Sequence, residues 1–215
     1  DTGAKLIDGQ YGNDERQGVW KEYHPDGKTV AWVGTYTDGK RTGDFKMYDD
    51  KGSLAYSGTF AGGNTNGTWI RFENNNILEK VRFADNVTNG ICEFYYPGGG
   101  GIAQRSTYSS NVLNGPASSY YSNGSVQSEG EYIKGKQEGI WKFYSKEGSL
   151  AMQGPYKSGK KEGEFTEYFT SGKVRAKGIY EGSKKMGVWN YYLENGALDK
   201  QPEFKSASIK HCVFY

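Results

Sequence analysis

One phrase recurs along almost the whole chain and limits what it can fold into. Its cleanest form starts at Tyr132 and runs through Gly139, Trp141, Tyr144 and Gly148 to Leu150. The next copy reads Tyr156, Gly163, Phe165, Tyr168, Gly172 and Val174. The one after reads Tyr180, Gly187, Trp189, Tyr192, Gly196 and Leu198. Earlier copies start at Tyr108, Phe83, Phe60, Tyr36 and Tyr11. A glycine seven residues into each copy sets the register: Gly18, Gly43, Gly67, Gly90, Gly115, Gly139, Gly163 and Gly187, spaced by 23 to 25 residues. A fixed period of this length marks a repeat architecture. Each unit is too small to bury its own apolar face and must stack on its neighbours.

Each copy reads as two strands. The first ends at the leading ring, as in Val126–Tyr132. A Gly- and Lys-rich turn of about six residues follows, then a short second strand such as Ile140–Tyr144, then a tight turn. Asn123-Gly124, Asn195-Gly196, Asp26-Gly27 and Asp38-Gly39 are hairpin turn signals. No helical periodicity persists. The expected fold is all-β: an elongated antiparallel β-hairpin repeat meander, a solenoid built as one strongly twisted or curved sheet, with almost no helix. A four-bladed propeller is the rival, but it calls for a 48-residue super-period that the copies do not show. The expected division is a lead-in strand over 1–10, eight repeats over 11–203 and a capping segment over 204–215.

Strand alternation places Val126, Ser128, Gly130 and Tyr132 on one face. The strand glycine then lies beside a ring, and its missing Cβ offers a seat for an aromatic. Trp141 and Phe143 share a face, while Ile140 and Tyr144 share the other. Either a bulge brings Trp and Tyr together or both faces are partly covered. The expected structural aromatic ladder comprises Trp20, Tyr23, Tyr36, Phe45, Trp69, Phe72, Tyr132, Trp141, Tyr144, Tyr156, Phe165, Tyr168, Tyr180, Trp189 and Tyr192. Composition agrees. A hydrophobic share of 35% and a mean hydropathy of -0.82 would suit a disordered chain. A net charge of only +2 and 15% aromatics argue instead for a fold whose core is its rings.

The phrase Tyr-x-x-Gly-x-x-x-Gly-x-Trp-x-x-Tyr-x-x-x-Gly-x-Leu, cleanest at Tyr132–Leu150, Tyr156–Val174 and Tyr180–Leu198, resembles the MORN repeat in its longer bacterial variant. The chain looks like the so-called antitoxin-component type. The resemblance covers Tyr11 to about Glu203. It implies stacked β-hairpins and a role as an interaction or spacing platform. The middle copies depart from the phrase: Cys92 and Ala117 stand where Trp is expected, and Gly98–Gly101 loosen one turn. A bend, a weaker joint, a binding surface and simple repeat decay all fit these departures.

Catalytic chemistry is hard to assemble. His24 and Asp26 share a turn, His211 and Cys212 are strand neighbours facing opposite ways, and Glu164 and Glu167 form one of several chance carboxylate pairs. No glycine-rich segment carries a phosphate-loop signature. No enzyme activity, metal or cofactor is expected. The basic turns are the better surface feature: Lys40, Arg41, Lys136, Lys160, Lys161, Lys184 and Lys185 recur at corresponding points and would form a binding ridge along one edge. Acidic residues interrupt that ridge, and +2 is too small for a nucleic-acid binder. The expected function is a non-catalytic scaffold binding an unidentified protein partner, at the bacterial cell surface or envelope. The alternative is a glycan, cell-wall or acidic-membrane-surface module using the ring ladder and the basic turns. Because the chain starts at Asp1, removal of an N-terminal signal and a periplasmic, cell-surface or secreted location are expected, with the cytoplasm as the other option.

Overall fold

The computed structural model describes residues 6–205. Among these the regular elements are all strands, and none is a helix. The chain divides into two compact units. The first runs to Gly115 and includes Ser122–Gly124; the second holds Pro116–Tyr121 and the chain from Ser125.

The first unit contains β1 (Ile7–Gly12), β2 (Glu15–Tyr23), β3 (Val30–Thr37), β4 (Lys40–Tyr48), β5 (Leu54–Ala61), β6 (Asn64–Glu73), β7 (Asn76–Ala84), β8 (Val87–Thr88), β9 (Gly90–Tyr95) and β10 (Ile102–Ser109). β11 (Val112–Tyr120) carries the chain into the second unit. That unit contains β12 (Val126–Ile133), β13 (Lys136–Tyr144), β14 (Leu150–Lys157), β15 (Lys160–Lys161), β16 (Gly163–Tyr168), β17 (Val174–Glu181), β18 (Lys184–Tyr192), β19 (Leu198–Lys200) and β20 (Glu203–Phe204). Pairing in each unit is antiparallel and between sequence neighbours. β1 through β7 pair in succession, β7 continues to β8 and β9, and β9 pairs with β10. A propeller blade stops hydrogen bonding after its fourth strand, so this unbroken succession rules out blades. The expected lead-in strand and the first ring, Tyr11, lie on one strand, β1. The expected cap lies outside the described residues beyond Lys205.

The expected six-residue turn is in fact two residues long. Lys134 and Gly135 take φ of 51° and 79°, the pair of positive values that a type I′ hairpin turn requires. Asp38-Gly39 and Ser158-Gly159 repeat it. The second strand therefore begins at Lys136 rather than Ile140. The polar run Lys136–Glu138 looked like loop because its alternation carries no apolar signal.

Two kinds of glycine shape each hairpin, for different reasons. Gly139 has φ of 68°, and a Cβ on it would meet nothing within 4 Å; here the backbone torsion is the requirement. It opens a bulge: Glu129 faces Lys142 and Glu131 faces Glu138, so Gly139, Ile140 and Trp141 together oppose Gly130. Gly130 is needed for space instead. A Cβ there would fall inside the Trp141 indole. Gly34 repeats the seat, where a Cβ would come 2.9 Å from the Phe45 ring. The seat expected from the sequence is present. The indoles seated on glycines donate to main chain: Trp141 Nε1 to Glu131 O at 3.2 Å, Trp69 Nε1 to Thr59 O at 3.1 Å and Trp189 Nε1 to Ile179 O at 3.1 Å.

The rings seated this way stack edge to face. In the first unit Trp20, Trp32, Tyr36 and Phe45 form a buried cluster, with Tyr11 against Trp20 at 5.0 Å and Phe60 against Trp69 at 5.1 Å. In the second, Phe165, Ala176, Tyr180 and Trp189 are buried, and Tyr180 meets Trp189 at 5.1 Å. The expected ladder needs correction. Tyr144 and Tyr168 sit on the opposite face, where Tyr144 Oη donates to Glu129 at 2.7 Å and Tyr168 Oη accepts from Gln153 at 2.8 Å. Tyr23, Phe72 and Tyr192 hold the corresponding position and make no ring contact within the stack. Trp32, Phe60, Phe143 and Tyr191 belong to it instead. So the bulge exists, but it does not bring Trp and Tyr together; both faces carry rings.

The departure at Cys92 is compensated packing. Eleven residues before Trp69, Trp141 and Trp189 stand the seat glycines Gly58, Gly130 and Gly178. Eleven before Cys92 stands Val81, and eleven before Ala117 stands Ser106. Where the seat regains a Cβ, the ring is gone. Cys92 and its strand partner Ser106 are both buried. Copies are also laced at their turns, one backbone bond each: Gly63 N donates to Arg41 O at 2.8 Å and Ser183 N to Lys161 O at 2.9 Å.

This packing sets two expected outcomes. Gly154→Ala lowers stability by roughly 1–3 kcal/mol through overpacking against Phe165. Gly154→Val with Phe165→Cys, copying Val81 and Cys92, costs less than the sum of its single substitutions. Gly139→Ala loses about 1–2 kcal/mol through backbone strain alone, and Gly139→Asn loses less. Denaturant midpoints measure all of these.

Candidate functional site

The column of residues two positions before each register glycine lies on the ring face, opposite the leading ring of its hairpin. Tyr36 pairs with Arg41, Tyr156 with Lys161 and Tyr180 with Lys185. Four members of the column are basic: Arg16, Arg41, Lys161 and Lys185. Their heads fold over aromatic faces. Arg16 lies 4.4 Å from the Trp20 ring centroid, Arg41 5.0 Å from Trp32 and 4.9 Å from Phe45, and Lys185 3.8 Å from Trp189.

In the first unit Arg16 Nη1 and Arg41 Nε both donate to the phenolic oxygen of Tyr36, at 3.3 Å and 2.9 Å. The Tyr36 bond holds Arg16 more firmly charged than an ordinary arginine. The second unit adds an acid. Glu167 lies 3.6 Å from Lys185 and accepts from Arg175 at 2.9 Å, while Lys185 Nζ donates to Tyr191 Oη at 2.9 Å. Burial is the largest influence on Lys185 and opposes its charge. The Tyr191 bond and the Glu167 carboxylate together outweigh it, so its pKa stands above the ordinary value. Lys161 Nζ contacts the Met152 sulfur at 3.6 Å, with its head over Phe165 and Tyr180. Burial pulls its pKa down, and Lys185 adds to the effect against Glu167.

The expected basic ridge therefore splits in two. Lys40, Lys136, Lys160 and Lys184 are exposed, whereas Arg41, Lys161 and Lys185 are half-buried over the rings. Strand alternation is the cause: adjacent residues of a doublet point to opposite sides. Arg16, Glu167 and Tyr191 were missed as site residues. The column two before each register glycine was the available signal for Arg16.

The catalytic candidates do not assemble. His24 Nε2 contacts Tyr48 O at 3.1 Å, while Asp26 turns onto Lys28 N, Thr29 N and Thr29 Oγ1. Those bonds, led by the Thr29 hydroxyl, bring Asp26 down to about 2. Glu164 pairs with Lys177 at 3.0 Å on the face opposite Glu167, because Phe165 between them is a ring-face residue. Cys92 is buried, and burial pushes its thiol up. Among the described residues no three His, Cys, Asp or Glu gather as a metal would require. His211 and Cys212 lie outside the described residues. Trp20, Trp141 and Trp189 are at most 3% exposed and Trp69 is half-buried, so they present no open track for sugar rings. No helix among the described residues is long and apolar enough to cross a membrane.

Fold and site together define a β-hairpin repeat protein whose cohesive elements are seated rings. The family model described as MORN repeat variant matches residues 16–31, 113–134, 137–158 and 161–181, so the chain carries MORN-type repeats. No curated protein matches. Among solved structures, a crystal structure of a glycine-to-arginine mutant of S. aureus TarM in complex with fondaparinux, α-GlcNAc-glycerol and UDP is 14% identical. It covers 45% of this chain and 19% of its own, with a TM-score of 0.32. A crystal structure of TarM is 15% identical, covers 41% of this chain and 18% of its own, and has a TM-score of 0.30. This chain thus spans about a fifth of the length of those proteins.

Lysine titration followed by NMR should find Lys161 ionising below the ordinary lysine value and Lys185 above it, with Glu167→Gln lowering Lys185. On the other face, burial and the Glu129 bond push Tyr144 up to about 12 from an ordinary 10.0. The native state then keeps a proton that the unfolded chain has lost, so this group's contribution to stability falls between pH 10 and about 12. Glu129→Gln should narrow that window, read from denaturant midpoints against pH.

Proposed function

We propose that the chain is a non-catalytic repeat platform that binds a protein partner. MORN repeats generally mediate protein or membrane-lipid interactions. The observation that carries the narrower reading is on the face away from the ring stack. The residue after the register glycine is an exposed β-branched side chain in several copies: Val19 at 58%, Ile140 at 57% and Val188 at 52%. Thr35 stands opposite Val19 and Pro155 opposite Ile140. Short, stiff side chains on a regular sheet lose little entropy when covered, which suits a protein surface. The packed indoles count against sugar stacking, and acidic residues interrupt the exposed lysines: Glu138 and Glu162 accept from Ser158 N and Gly182 N at the turns.

Quantitative affinity capture should retain a defined partner on the wild-type chain, with a loss of tenfold or more for Ile140→Glu combined with Val188→Glu at unchanged circular dichroism. Equal retention by both, or wild-type binding to a glycan array or to acidic liposomes that these substitutions leave intact, would overturn the reading.

A further inference from the structure

Three of the six arginines pair with a glutamate among the described residues. Arg71 pairs with Glu79 at 2.8 Å, Arg105 with Glu93 at 2.8 Å and Arg175 with Glu167 at 2.9 Å. Arg16 and Arg41 do not. They meet on one neutral phenol, Tyr36, and among the described residues no ion pair joins either to a carboxylate. A guanidinium has five N–H donors in a planar fork. Here aromatic rings cover its faces, Tyr36 takes one donor from each arginine and Tyr11 also bonds Arg16; the fork has more donors than these phenols take. Two like charges are thus held within hydrogen-bonding reach of the same oxygen, in half-buried positions where screening by water is reduced.

The second unit shows what such a pair normally receives. Lys161 and Lys185 occupy the same column, and Glu167, six residues after Lys161, supplies the anion. The first unit has an acid at the matching place, Glu22, six residues after Arg16. What differs is its cross-strand partner. Glu167 faces Ala176, a fully buried small residue, whereas Glu22 faces Trp32. The Trp32 ring lies under the Arg41 guanidinium and stacks on Phe45 at 5.8 Å. It fills the space through which a carboxylate would reach across, and Glu22 forms no ion pair with either arginine. The first unit has kept the cation pair and shut out its internal anion.

We propose that Arg16 and Arg41, gathered on Tyr36, are a binding site for a carboxylate brought by the partner, the side chain of a glutamate or aspartate. This rests on the protein-binding reading above and names the chemistry of one anchor point. A carboxylate is favoured over a phosphate because it is the group the chain itself places against the equivalent lysines. Bidentate pairing with a planar carboxylate also matches the guanidinium fork. The stacked Trp20, Trp32 and Phe45 rings preorganise both heads, so little side-chain entropy remains to be lost on binding.

The test uses the full chain and a fluorescently labelled, end-capped peptide of six glutamates, with six glutamines as control, followed by anisotropy at low and moderate salt. The wild-type chain binds the acidic peptide and not the neutral one. Arg16→Gln and Arg41→Gln each weaken binding roughly tenfold or more, the loss expected for one charge-assisted hydrogen bond. The lysine variants at both positions recover part of it, and Arg82→Gln, an exposed arginine outside the column, changes nothing. Glu167→Gln releases Lys185 and adds a second, weaker site. Circular dichroism of each variant separates lost binding from lost folding. Equal binding by the Arg16→Gln/Arg41→Gln double variant and the wild type overturns the site. Displacement of the peptide by inorganic phosphate at lower concentration than by acetate overturns the carboxylate assignment. Partner capture that survives the double variant leaves the platform reading standing and removes only this anchor.

Discussion

Everything in this protein depends on an aromatic ring lying flat on a residue that has no side chain. A single sheet has no second layer to bury its rings against. The seat glycines solve this by letting Trp141 settle onto Gly130 and Trp189 onto Gly178, so the backbone of one strand becomes the floor for the ring of the next. The adjoining tyrosine closes the side edge to face, and main-chain carbonyls take the indole N–H. Aromatic pairs of this kind are worth about 0.5–1.5 kcal/mol beyond their buried area. They recur in the hairpins that keep the seated ring, which accounts for cohesion there with few aliphatic side chains.

The seat also explains the chain's irregularities. Val81 with Cys92 returns a side chain to the seat where the ring is lost, and Cys92 stays buried. Ala176 and Trp32 show the same exchange one row along, and there the consequence is electrostatic. A small residue admits Glu167 to the lysines; a large one excludes Glu22 from the arginines. A packing choice made for volume thereby decides whether a pair of charges is neutralised within the chain or left for a partner.

The legibility of the sequence followed the physics of period. Register glycines, paired strands and the ring–glycine seat were all readable, because each is a local requirement repeated at fixed spacing. The two-residue turns were not, since Lys136–Glu138 is polar on both sides of the strand and reads as loop. The ladder was misassigned at Tyr144 and Tyr168 because a bulge of unknown size separates them from the register glycine. The recurrence of the basic residues is legible in the sequence, but their split between two faces is not, and Arg16 stands alone outside any doublet.

The sequence by itself determined that this is an all-β hairpin repeat and which residue type each strand position demands. Those demands are torsional or steric and act between residues close in the chain or one period apart. Only the tertiary structure decided which side chains meet across strands: that Arg16 and Arg41 converge on one phenol, that Glu167 reaches Lys185, and that Trp32 denies Glu22 the same reach. Such contacts depend on the bulge at each register glycine. A shift of one or two residues in strand pairing changes every cross-strand neighbour while leaving the repeat pattern in the sequence unaltered.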